Sequence, residues 1–309
     1  MRWFRRCCPV WSHLYYLSED GCIRHAEYKI PYTKIIELRT APQNPSVTIN
    51  QTVDYFNCRA VSPRRLDMRG AISINVRVTS QADEEIVSGG DDAGLQLCRE
   101  AIENTRVLPQ AVRQMTVHEE MALGNGKPNI GNVIRYSANA EVSDFKVISG
   151  KLVTKGEANV KIMYQDEENA EKLEIMEYAI PVSQIIDMEG VDEDCACNVW
   201  YDVCSTDITP KQNVNGENQI FAIELAINSY ATANRKINMD AVTDCYSTQY
   251  ECKQSQKQVP FMKLLQVVDE TYLYKETLDL PPNVKSIIDL WCVPGPVSTR
   301  IESDSVVVT

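Results

Sequence analysis

The sequence predicts a mainly β protein, assembled from tandem antiparallel β-sandwich-like modules with little helix. Two observations carry that expectation. One is an internal duplication at domain-sized spacing; the other is a set of separate segments in which apolar residues recur at every second position. A hairpin signal, Asn215-Gly216, stands just before one of those segments.

The duplication is visible by eye. EYKIPYTKIIEL, from Glu27 to Leu38, returns as EYAIPVSQIIDM, from Glu177 to Met188, 150 positions later. Six of the twelve residues are identical, where average residue usage gives about one by chance. PNIGNVI, Pro128 to Ile134, reappears as PNVKSII, Pro282 to Ile288, at a shift of 154 that Cys98 and Cys252 share. A unit of about 150 residues is the size of a domain rather than of a solenoid repeat. Tyr16-Leu17-Ser18-Glu19-Asp20 aligns with Tyr164-Gln165-Asp166-Glu167-Glu168, and Val306-Val307-Val308-Thr309 with Leu152-Val153-Thr154-Lys155. Residues 1–107 are therefore expected to supply the C-terminal part of a first unit, residues 108–258 a complete second unit, and residues 259–309 the N-terminal part of a third. The opening MRWFRRCCPVW reads as the edge of a fragmentary or frame-shifted gene, and Cys7-Cys8 beside its arginines as incidental rather than as a palmitoylated anchor.

The individual elements follow from local pattern. In the repeated motif, Ile30-Pro31 and Ile180-Pro181 place a residue without an N–H in an extended segment, as on an edge strand. Thr33 and Ser183 follow, each with a hydroxyl able to cap a short helical turn that would carry Ile35-Ile36 or Ile185-Ile186 into the core. Packing and turn geometry account for that motif. No His, Lys or paired carboxylate lies nearby in sequence to activate either hydroxyl. Ile72, Ile74, Val76 and Val78 alternate with Ser73, Asn75 and Arg77, the pattern of a half-buried strand. Ala158, Val160, Ile162 and Tyr164 form another such strand, and Phe221, Ile223, Leu225 and Ile227 a third, the counterpart of the one at Ile72. Leu95 to Thr105 is the best helix candidate, closed by Pro109, although Leu95/Leu97 alternation also fits a strand. A sheet polar on one side must cover its apolar side, so each unit is expected to be two antiparallel sheets packed face to face.

Composition sets limits on partners. The 309 residues are 44% hydrophobic and 24% charged, ample to fill two cores. The formal net charge of -12 argues against nucleic acid, whose backbone is bound by clustered Lys and Arg. No run approaches 18 uninterrupted apolar residues, so no membrane span is expected, and Pro9 to His13 stands where a signal peptide needs an apolar stretch.

The search for chemistry is largely negative. His13, His25 and His118 lack metal-ligand or triad spacing; His118-Glu119-Glu120 begins like a zincin helix, but Ala122 stands where the second His is needed. Gly124-Asn125-Gly126-Lys127 suggests a phosphate loop, yet Pro128 occupies the Ser/Thr position, and a polar connection fits better. Asp166-Glu167-Glu168 and Asp192-Glu193-Asp194 read as solvated turns without the fixed ligand spacing of a calcium loop. Eleven cysteines include no Cys-x-x-Cys pair. Cys195, Cys197 and Cys204 with Cys245 and Cys252 could supply four thiolates only if distant segments met, and their gaps differ from those of zinc sites. Free thiols are the expected state, with intermolecular oxidation the alternative. No catalytic, cofactor-binding or metal residue is assigned, no cofactor is expected, and the chain is not expected to be an enzyme.

The run VISGKLVTKGEANVKIMYQDEENAEKLEIMEYAIPVSQIIDM, an acidic gap, and the strand IFAIELAINSYA together resemble the SPOCS domain of clostridial spore morphogenesis and spore coat proteins. The carrying features are Gly150 and Gly156 around a β run, Tyr164 ending the next strand, and Ile180-Pro181 with Ile185-Ile186. RRLDMRGAISINVRV, Arg64 to Val78, is similar to the segment closing the same domain. In similar proteins several such units precede a C-terminal LysM module, a segment this sequence does not contain. The resemblance implies a non-enzymatic structural or interaction protein of the spore envelope, working in the mother-cell cytoplasm at the forespore surface. Its partners would be other envelope proteins or further copies of itself, and peptidoglycan through a LysM module. The alternative function is a cell-wall carbohydrate or peptidoglycan-binding module, for which Trp200, Tyr201 and Tyr230 are the candidate platform residues, although Trp200-Tyr201 are expected to pack in or beside a strand.

Overall fold

The computed structural model describes residues 3–19, 23–37, 46–62, 64–80, 84–90, 94–267, 275, 277, 279, 289, 290, 299–303 and 305–308. Thirteen strands are present among them: β1 (Trp3–Leu17), β2 (Ile23–Glu37), β3 (Ser46–Ser62), β4 (Arg65–Thr79), β5 (Leu95–Val107), β6 (Ala111–Ala122), β7 (Ile130–Ile148), β8 (Lys151–Asp166), β9 (Leu173–Asp187), β10 (Ala196–Gln212), β11 (Asn218–Ser247), β12 (Thr299–Glu302) and β13 (Ser305–Val308). All pairings are antiparallel, and the described residues contain no helix. The mainly β, antiparallel class expected from the alternation is the class observed.

By internal contact the chain divides into two compact units. One consists of Met1–Thr40 and Asp83–Glu270, the other of Ala41–Ala82 and Thr271–Thr309.

The first unit contains a two-sheet sandwich. One layer is the three-stranded sheet β7-β8-β9; the other is β10-β11 with β6 on the far side of β11. Strand periodicity decides which side chains meet between the layers. On β8, Ala158, Val160, Ile162 and Tyr164 are all buried, and on β11 so are Phe221, Ile223, Leu225 and Ile227. These two rows form one core with Ile180 and Val182 of β9 and Tyr201 and Ile208 of β10. Phe221 lies edge-on to Tyr164 and Tyr178, with ring centroids 5.5 and 6.4 Å apart, the favoured aromatic geometry. A second, smaller cluster of Leu108, Leu152, Ile186, Met188, Val191, Cys195, Ala231 and Ala233 closes one end.

β11 extends beyond the sandwich. Its 30 residues pair with β6 over Ile220–Ala231 and with β5 over Asn234–Ser247. β5 and β6 thus form one edge line along β11, broken at Leu108-Pro109-Gln110 where proline lacks a ladder N–H. Of the two readings left open for Leu95–Thr105, helix or strand, the structure takes the strand, β5. Leu95 and Leu97 are half-buried while Gln96 and Cys98 are exposed, and pairing with β11 outweighs the local helix formers.

The capped helical turn expected at Thr33 and Ser183 is corrected. β2 and β9 run straight through these residues, with Thr33 opposite Cys7 and Ser183 opposite Lys155. Ile186 is buried while Ile185 is 49% exposed, so only one of the pair enters the core, as strand alternation requires. Pro181 lies on β9, the outer strand of its sheet, where a missing N–H costs no ladder bond on the open side. The β10–β11 turn forms where Asn215-Gly216 was read: Gly216 has φ 82°, and Asn213 Oδ1 accepts from the N–H groups of Asn215 and Glu217.

Three hairpins share their register with counterparts elsewhere in the chain. Pro9 faces Pro31 and Leu17 faces Ile23 in β1–β2, as Glu157 faces Pro181 and Gln165 faces Leu173 in β8–β9. In β3–β4 a bulge separates Val53↔Ile72 from Tyr55↔Ala71; in β10–β11 it separates Val203↔Ile227 from Ser205↔Ala226. Thr299↔Val308 and Glu302↔Ser305 in β12–β13 correspond to Phe145↔Thr154 and Ile148↔Lys151 in β7–β8.

Candidate interaction surface

Because side chains alternate across a strand, the sandwich sheet β10-β11-β6 presents a second face away from the core. Cross-strand register places Asn198, Trp200 and Asp202 of β10, Thr232, Tyr230, Asn228, Ala226 and Glu224 of β11, and Val112, Gln114, Thr116 and His118 of β6 on that face. Trp200 and Tyr230 are directly opposite, and their rings stack at 5.3 Å and 9°. Asn228 Nδ2 donates to Tyr230 Oη at 3.2 Å. Val112, next to Tyr230 on β6, is 54% exposed. The arrangement combines a half-exposed aromatic pair with neutral amides, a surface suited to partners with apolar faces and hydroxyl or amide edges. Tyr201 points the other way: it is buried, and its hydroxyl donates to Thr154 Oγ1 at 2.6 Å, while Thr154 donates to the Gln184 carbonyl at 3.1 Å. Of the three aromatic residues singled out, the fold brings Trp200 and Tyr230 together and assigns Tyr201 to the core. Stacking across strands needs the β10–β11 register, bulge included, which no local pattern reveals.

The remaining candidates occupy structural positions. His118 lies on β6 opposite Glu224, with Nδ1 3.5 Å from the carboxylate, both side chains more than half exposed. The Gly124–Lys127 loop is a turn between β6 and β7. Lys127 Nζ meets Glu174 at 2.6 Å, and Lys172 reaches the same carboxylate at 3.0 Å. Hydrogen bonds from both lysines hold the Glu174 pKa below the usual carboxylate value. Tyr178 donates to the Ala122 carbonyl and Tyr164 to that of Pro128, each at 3.2 Å, tying down both ends of the loop. Burial pushes both phenols up to about 12, so they stay protonated donors. Asp166 accepts from the Glu168 N–H in the β8–β9 turn, and Asp192 pairs with Arg235 at 3.0 Å.

Cys197, Cys204 and Cys245 are far apart along extended chain. Cys197 and Cys204 are seven residues apart on β10, about 23 Å at the strand rise. Cys197 faces Ala233, and Cys245 is twelve residues further along β11, about 40 Å away. Burial raises the pKa of Cys195 and pushes Cys197 up to about 11, which keeps both as thiols. Among the described residues no group of three or more His, Cys, Asp and Glu side chains is arranged to hold a metal ion. The sulfurs of Cys245 and Cys252, by contrast, lie 3.8 Å apart. His13, His25, Cys7, Cys8 and Pro282–Ile288 lie outside the residues whose side chains are described.

Within this sandwich, residues 129–211, spanning β7 to β10, match the family described as SipL, SPOCS domain. The chain carries a SPOCS domain there. No curated protein and no solved structure matches the chain. No helix among the described residues is long and apolar enough to cross a membrane.

Proposed function

We propose that the protein is a non-enzymatic structural or interaction protein of the bacterial spore envelope, acting in coat or cortex assembly through repeated SPOCS-like modules. The SPOCS match over β7–β10 carries this reading, since that family is tied to sporulation. The shared registers of β1–β2 with β8–β9, of β3–β4 with β10–β11 and of β12–β13 with β7–β8 support a tandem array. Its site of action is the mother-cell face of the forespore, and its partners are other envelope proteins or further copies of the chain. A LysM module in a parent protein would add peptidoglycan. Expression of a fluorescent fusion in a sporulating clostridial host tests the proposal. A fluorescent shell around the forespore, and a disordered envelope in electron micrographs of the deletion strain, are expected. Diffuse fluorescence with an intact envelope in the deletion strain would refute it.

Binding of a cell-wall carbohydrate is a second function, favoured by the Trp200–Tyr230 stack beside Asn228 on an outer sheet face. Sugar rings pack against aromatic faces while amides accept and donate to their hydroxyls. Titration with soluble muropeptides, against Trp200→Ala as control, decides it: saturable binding lost in the variant supports this function, and no heat of binding removes it.

A further inference from the structure

The end of β11 carries an arrangement that the proposed function leaves unused. β11 stops at Ser247, whose hydroxyl accepts from the N–H groups of both Gln249 and Tyr250 at 3.2 Å. That side-chain cap reverses the chain. The Thr248 N–H donates to the Gly94 carbonyl at 3.1 Å, and a Cβ at Gly94 would come within 3.0 Å of Gln249, so the turn is seated against the start of β5. Reversal brings Cys252 back beside Cys245, with their sulfurs 3.8 Å apart. Two thiols in van der Waals contact across a capped turn need only a small adjustment to reach bonding distance. Cys252 is exposed and Cys245 half-buried.

We propose that Cys245 and Cys252 are a disulfide-forming pair that closes the turn 245–252 when the chain meets an oxidising small disulfide. The exposed Cys252 thiolate attacks one sulfur of the small disulfide, breaking its S–S bond and releasing one small thiolate. The Cys245 thiolate then attacks Cys252 Sγ in the mixed disulfide and releases the second small thiol. The two protein thiols give up two protons and two electrons, and the small disulfide becomes two thiols. Closure tethers the far end of the β5–β11 ribbon. In the reduced pair the hydrogen bond with Cys252, then desolvation, then the charge of Asp244 hold the Cys245 thiol above its usual pKa. This inference is independent of the spore-envelope proposal.

Peptide mapping of the full chain tests it. Reduced protein is exposed to oxidised glutathione, quenched in acid, alkylated with N-ethylmaleimide and cut with trypsin without reduction. Cleavage after Lys236 and Lys253 releases Ile237–Lys253, which contains both cysteines. The expected product is this peptide lighter by two hydrogens and unalkylated, while exposed Cys98 carries the alkyl group or glutathione. Cys252→Ser abolishes the lighter form and leaves Cys245 alkylated or glutathionylated. The inference is overturned if the wild-type peptide carries two alkyl groups, two glutathiones, or a link to another chain. It is also overturned if zinc added to reduced protein, without oxidant, blocks alkylation of both cysteines in a chelator-reversible way, which would assign the pair to a metal.

Discussion

β3–β4 and β10–β11 are built alike and buried differently. Both are long antiparallel pairs of matching register, with a bulge after Val53 in one and after Val203 in the other. Ile72 and Ile227 hold equivalent places. Yet Ile227, Ser229 and Ala231 are fully buried, whereas Ile72, Ile74 and Val76 are half-buried and Val53, Tyr55 and Phe56 are at least 50% exposed. Among the described residues β3 and β4 pair only with each other, while β11 is flanked by β10 and β6 and faced by β7-β8-β9. Strand pairing and bulge placement are set within the two-stranded ladder. Burial is set by what covers the ladder, and it governs how much each apolar side chain contributes.

The largest contrast is expected from truncating equivalent residues. Ile227→Ala leaves a cavity in a closed core and is expected to cost about 2–5 kcal/mol, whereas Ile72→Ala, half-exposed, costs about 1 kcal/mol. Urea denaturation of both variants checks this, and equal losses would break the comparison. Glycine offers a second test. A Cβ at Gly156 would lie 2.0 Å from the Glu141 carbonyl oxygen and 2.9 Å from the Tyr201 ring, while at Gly70 the closest approach is 2.9 Å, to the Tyr55 carbonyl oxygen. Gly156→Ala forces β7 and β8 apart at their bulge and is expected to cost roughly 3 kcal/mol, with about half that for Gly70→Ala. Melting temperatures of the two variants rank them.

Tyr201→Phe removes the donor to Thr154 Oγ1 inside the sandwich but keeps the ring on Gly156. Thr154 keeps its bond to Gln184, so a loss of about 1 kcal/mol is expected in urea denaturation. The smallest effect is electrostatic. The Glu174 pKa is depressed in the folded state, so its contribution is present above the unfolded carboxylate pKa of 4.5 and disappears as pH falls through the lower folded value. Glu174→Gln should lower stability by less than about 1 kcal/mol at neutral pH and by nothing in strong acid. A difference between the two proteins that persists at about pH 2 would contradict the Lys127 and Lys172 pairing.

Much of the fold was legible because strand alternation is a local property. Ala158, Val160, Ile162 and Tyr164, and Phe221, Ile223, Leu225 and Ile227, enter the core as their spacing indicated. Asn215-Gly216 turns where its backbone preference demands. Leu95–Thr105 was ambiguous because its residues favour helix while Leu95 and Leu97 alternate, and only pairing with β11 settled it. The helical turn at Thr33 and Ser183 failed because a hydroxyl at the right spacing is a permissive signal, and the ladder to the neighbouring strand outweighs it.

By itself the sequence determined the β class, the duplication, the inward rows of β8 and β11 and the absence of an ordinary metal or catalytic spacing. The tertiary structure alone decided that β5 and β6 line one edge of β11, that Trp200 stacks on Tyr230, and that Cys245 meets Cys252 while Cys195 and Cys197 do not join them. The reason is geometric. A period of two states which face a residue takes, but shifting a strand by any even number of residues keeps that face and changes every partner. Partners are chosen by contacts between residues distant in sequence, and those exist only once the sheets have formed.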